Sequence, residues 1–121
     1  MKAYTDIEQS KKLAEILPIE SADMYYRNNG IDAKLMWEHN TPEVKYPCWS
    51  LAVLLSILPD SIYNNTNEFS QLEFSKRSVA YHDINDGIKV GSIKDNLVDA
   101  CYEVIIKLHK LNLLWLWKNL V

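Results

Sequence analysis

The run Pro47–Pro59, PCWSLAVLLSILP, carries only two polar side chains, Ser50 and Ser56. A helix that is apolar on every side must be covered from several directions. About a dozen residues at about 1.5 Å each fall far short of a bilayer's ~30 Å hydrocarbon layer. The run is therefore expected as a central buried helix over 47–58, with Pro47 in its first turn and Pro59 ending it.

The flanking segments read as its cover. Thr5 and Glu8 suit a capping box that opens a helix over 5–17, with Ile7, Leu13, Ala14, Ile16 and Leu17 as its apolar stripe. Glu8 and Lys12 stand in the favourable i,i+4 order, and Pro18 stops the helix. Residues 24–38 read as a hairpin: Met24–Tyr26, the turn signal Asn28-Asn29-Gly30, and a second strand through Leu35, Met36 and Trp37. Residues 39–46 and 60–68 are polar and turn-rich, and are expected as loops. Period-two alternation then marks strands over 69–75, 79–84 and 88–91, joined by turns at Lys76-Arg77 and Asn85-Asp86-Gly87. The last helix, 95–111, starts at Asp95 or Asn96 and buries Leu97, Val98, Cys101, Val104, Ile105 and Leu108. An apolar tail, 113–121, follows. The expected fold is α+β: one domain over 1–121, with an antiparallel sheet of a hairpin plus a three-strand meander packed against three helices.

Charge narrows the partners. The net charge is −3, and Lys+Arg against Asp+Glu is six to nine in residues 1–60 and seven to seven in 61–121. No basic half tracks a phosphate backbone, so nucleic acid is an unlikely main partner by this criterion. A local patch at Lys76 and Arg77 is left as a weak nucleic-acid-binding alternative. No apolar leader or run of about 18 apolar residues occurs, so neither secretion nor a membrane span is expected, and the cytoplasm is the default location. Asn64-Asn65-Thr66 matches a glycosylation acceptor but has no meaning in that compartment. Cys48 and Cys101 read as buried thiols, with a disulfide left open until geometry is known.

Few residues carry chemistry. Cys48, expected in the first turn of the central helix, would have a thiolate favoured by the helix dipole. His82, with Asp83 beside it, lies downstream on a strand, which gives the chain order of a thiol-dependent hydrolase. A packed, inert Cys48 and a half-exposed strand His82 explain the same residues more simply. Cys48, His82, Cys101 and His109 lack the paired spacings of zinc sites. Residues 83–94 fail as a calcium loop, since Ile88 and Lys94 stand where Gly and Glu are needed. Three glycines cannot write a phosphate-binding loop. No cofactor or metal is expected. The aromatics Tyr25, Tyr26, Trp37, Trp115 and Trp117 form a surplus for so small a core. They are absorbed by it or mark an interface with a protein partner or a second copy.

Three stretches, TDIEQSKKLAEILPIESADMYY (Thr5–Tyr26), PCWSLAVLLSILP and DNLVDACYEVIIKLHKLNLL (Asp95–Leu114), resemble a family of short uncharacterised proteins of phages and mobile elements in gut anaerobes. The resemblance implies an accessory protein working inside a bacterial cell. It brings no activity and no catalytic motif. The expected function is that of a non-enzymatic protein-interaction module.

Overall fold

The computed structural model describes residues 2–27, 30–33, 46–63, 69–83 and 87–114. Its elements run α1 (Ile7–Ala14), a 3-10 turn (Ile19–Ser21), β1 (Met24–Arg27), β2 (Gly30–Ala33), β3 (Tyr46–Cys48), α2 (Leu51–Ile57), β4 (Ser61–Tyr63), β5 (Phe69–Phe74), β6 (Ser78–Asp83), β7 (Gly87–Ile93) and α3 (Leu97–Lys110). The α+β class is as expected. The strands form two antiparallel sheets, ordered β2-β1-β3 and β4-β5-β6-β7, rather than one.

The Pro47–Pro59 run is not one central helix. Pro47 and Cys48 belong to β3, which pairs with β1 at the sheet's edge, where a proline without an N–H is tolerated. The helix starts only after Ser50, whose hydroxyl accepts from the Val53 amide at 3.3 Å as N-cap. Ala52 and Ser56 are exposed, and only Leu54 and Ile57 are buried within α2. The two serines are the punctuation that the apolar composition conceals. The buried hub is α3, which packs on β6, β7 and α2 and buries Val98, Ala100, Cys101, Val104, Ile105 and Leu108. Trp49, Leu13, Leu54, Val79 and Tyr81 complete one core with them.

Helix α1 begins one residue later than the Thr5 box implies. Asp6 is the N-cap and exchanges bonds with Gln9: the Gln9 amide donates to Asp6 Oδ1 at 2.8 Å, and Gln9 Oε1 accepts from the Asp6 amide at 3.1 Å. Lys12 pairs with Glu15 at 3.5 Å instead of with Glu8. Thr5 is instead fully buried. In the hairpin, Arg27 pairs with Gly30, so the second strand is 30–33, ahead of Leu35–Trp37, which lie outside the described residues. Pairing with β1 carries Asp32 into a strand against its low propensity. The 60–68 loop holds a further strand, β4, paired with β5, which turns the expected three-strand meander into four.

Helix α3 ends in a Schellman turn. Asn112 takes the left-handed φ of 58°, its amide donates to the His109 carbonyl at 3.1 Å, and the Leu113 amide donates to the Leu108 carbonyl at 2.9 Å. Leu113 and Leu114 thereby turn back onto the core.

Candidate functional site

The residues named from sequence for thiol chemistry are held by different partners. Cys48 is fully buried on β3. Its thiol donates to the Thr5 carbonyl at 3.4 Å and accepts from Thr5 Oγ1 at 3.6 Å. Burial pushes the thiol's pKa up, and the Thr5, Ser10 and Tyr26 hydrogen bonds only partly oppose it. Cys48 is not in the first turn of α2 but precedes it in an extended strand, so the expected thiolate stabilisation by that helix's first turn does not arise. His82 is on β6 of the other sheet, with Nε2 3.4 Å from Glu73 Oε2. Asp83 ends β6, and its side chain lies outside the described residues. The premises for a Cys48–His82 nucleophile pair are therefore missing. Cys101 is buried in α3 with its thiol pushed up to about 12 by desolvation, and neither cysteine is in a disulfide.

The named aromatics divide likewise. Tyr26 is committed within the fold: its hydroxyl donates to the Thr5 carbonyl at 2.6 Å and its ring meets Tyr4 edge-on at 6.4 Å. Tyr25 is half-buried. Trp37, Trp115 and Trp117 lie outside the described residues. Lys76 and Arg77 are exposed at the β5–β6 turn, where Arg77 Nε donates to the Lys94 carbonyl at 3.0 Å and the guanidinium lies 4.0 Å from Asp95.

What composition did not reveal lies on the four-stranded sheet. Pairing places Leu72, Val79, Tyr81, Val90 and Ser92 on the core face, and Glu73, Ser78, Ala80, His82 and Ile93 on the other. Two large apolar side chains stay in water at the same end of this sheet, on opposite faces: Phe74, 56% exposed, in register with Val79 on the core face, and Ile93, 74% exposed, on the other. A groove of about 460 Å³ runs past β7 between the small residues Ser78, Ala80 and Gly91 and the α3 side chains Glu103 and Lys107. A second hollow continues it along Val90, Gly91, Lys107, Lys110 and Leu111. Lys107 Nζ bridges the two, donating to the Gly91 carbonyl at 2.7 Å and lying 3.2 Å from Glu103. Lys94 Nζ meets the other Glu103 oxygen at 2.6 Å. The Lys94 hydrogen bond, with Lys107 adding to it, holds the Glu103 carboxyl below its usual range. Period-two alternation would have found Ile93 if the strand had been carried past residue 91. The Lys94–Glu103–Lys107 cluster spans strand and helix, so no sequence window contains it.

A separate polar knot joins α1 to α3. Lys2 Nζ contacts Asp99 Oδ1 at 2.7 Å and Asp6 Oδ2 at 3.0 Å, and Gln9 Nε2 donates to Asp99 Oδ1 at 2.8 Å. Partial burial raises the Asp99 pKa, but bonds from Lys2, Gln9 and Asn96 outweigh it and hold the carboxyl below its usual range.

Among the described residues no group of three or more His, Cys, Asp and Glu side chains could hold a metal, and no helix is long and apolar enough to cross a membrane. Comparison with protein-family models, with curated proteins and with solved structures returned no match.

Proposed function

We propose that this chain is a protein-interaction module, an accessory protein of the cytoplasm that acts by binding another protein rather than by catalysis. The observation that carries this reading is Ile93, 74% exposed on β7 and lining the groove against α3, with Phe74 exposed at the same end of the sheet on its other face. Scattered apolar residues on a surface need no explanation, but a large one held in water at the lip of a groove fits a contact surface. The charged groups of the groove, Glu103 and Lys107, are already paired, Lys107 also holding the Gly91 carbonyl, which suits a recognition rim better than a reacting centre.

The test is affinity purification of the tagged chain from the cell that makes it, beside a Phe74→Ser/Ile93→Ser variant. The expected result is a stoichiometric protein partner with the wild type and its loss with the variant, while both proteins melt alike. A wild-type chain that purifies alone, as a monomer, contradicts the reading.

A further inference from the structure

Among the described residues strand β7 lies at the edge of its sheet, and one backbone bond fixes its hydrogen-bonding direction. The Lys94 amide donates to the Arg77 carbonyl, so Arg77 and Lys94 face each other as a hydrogen-bonded pair. Antiparallel ladders alternate hydrogen-bonded and open pairs. The register Ser78↔Ile93, Val79↔Ser92, Ala80↔Gly91, Tyr81↔Val90 therefore makes 79↔92 and 81↔90 the bonded pairs. Gly91 and Ile93 turn their amide and carbonyl groups away from β6, towards the open edge. The Gly91 carbonyl is found there, taken by Lys107 Nζ at 2.7 Å. The outward amides of Gly91 and Ile93 have no partner among the described residues. A register shift between Tyr81 and His82 ends the straight part of the edge near Val90. Unpaired edges of this kind accept another strand, and a lysine laid against the edge is a common guard against doing so indiscriminately.

The rim of this edge is cationic. Among the described residues Lys94 and Lys107 share the Glu103 carboxylate, Lys110 lines the adjoining hollow, nearby Arg77 and Asp95 offset each other, and Asp99, which also acts on Lys94, is held by Lys2. A second copy docking edge to edge would bring this cationic rim against itself. An acidic strand would be attracted by it. Such a strand's amide would take the Gly91 carbonyl, and the displaced Lys107 ammonium would move to one of the strand's carboxylates. A neutral or basic strand would displace Lys107 and leave it only Glu103, which it already shares with Lys94, and this sets a selectivity. We infer that the Val90–Ile93 edge accepts a short, extended, acidic segment of a partner protein by strand addition, with Lys107 as the charge that selects it. This rests on the interaction reading above and specifies its partner.

The test is selection of displayed random peptides on the immobilised full chain, followed by anisotropy titration of the recovered peptides. The variants are Ile93→Pro and Lys107→Glu/Lys110→Glu. A proline whose N–H would face solvent is tolerated on an edge strand but blocks an added one, and the double charge reversal supplies the test should Ile93→Pro melt early. The expected peptides alternate Asp or Glu with β-branched residues. They should bind wild type, lose affinity tenfold or more on each variant, and weaken as salt rises. Recovery of neutral or basic peptides, recovery of none, or equal binding by a folded Ile93→Pro chain overturns the inference. So does a dimer in light scattering that Ile93→Pro splits, which assigns the edge to a second copy. A cellular partner held equally by wild type and Ile93→Pro overturns this edge while leaving the interaction reading intact.

Discussion

At the scale of single residues, Thr5 and Trp49 anchor the N-terminal segment to the core. The Thr5 amide donates to the Trp49 carbonyl at 3.0 Å, and the Trp49 amide donates to Thr5 Oγ1 at 3.2 Å. The Trp49 ring is fully buried, and its Nε1 donates to Ser21 Oγ at 2.9 Å. Truncating a buried aromatic leaves a cavity, so Trp49→Ala should destabilise the fold by about 3–5 kcal/mol in denaturant titration. Below about 2 kcal/mol, the ring would not be a core side chain. Both thiols sit in apolar surroundings with raised pKa values. Native protein at neutral pH should react with a thiol reagent far more slowly than free cysteine, and denaturant should release both groups. Fast native labelling of Cys48 would restore the hydrolase reading.

At the scale of elements, helix ends and ties between helices decide the outcome. Asp6 and Asp99 both have depressed folded-state pKa values, against an ordinary value of 3.8. The unfolded chain therefore takes up these protons at higher pH than the folded one. Their stabilisation is fully present above the ordinary value and lost as pH falls through the folded ones. Melting temperature should thus drop as pH falls below the ordinary carboxylate value of 3.8, and Asp99→Asn should flatten that drop. An unchanged slope in the variant would assign acid lability to other carboxylates. At the end of α3, Asn112 pays a steric cost for its left-handed φ that glycine does not. Asn112→Gly should be neutral or stabilising by some tenths of a kcal/mol, whereas a β-branched Asn112→Val should destabilise by about 1–2 kcal/mol. Helix α3, β5 and β6 were legible because a strong period fixed them. The Pro47–Pro59 run was not, because a residue-by-residue hydropathy reading merges an edge strand, an N-cap and a half-buried helix into one apolar block. The capping box was shifted by one residue because Thr5 and Asp6 both satisfy the pattern, and only tertiary bonding to Trp49 claims Thr5.

At the scale of the whole molecule, α3 ties the four-stranded sheet to the helices, while among the described residues β7 has no strand on its outer side and Phe74 and Ile93 are exposed at one end of the sheet. The aromatics singled out by composition told little about this surface. Tyr26 is bonded inside the fold. The surface residues Ile93, Lys94, Glu103 and Lys107 are ordinary in type, and only pairing register and helix packing bring them together. Hydrogen–deuterium exchange on the isolated partner complex tests most directly where that partner sits. The expected result is new protection at 90–94 and along 107–111, with the 24–27 and 46–48 strands unchanged. Protection confined to those strands of the three-stranded sheet, with 90–94 exchanging as in the free chain, would contradict the proposed surface.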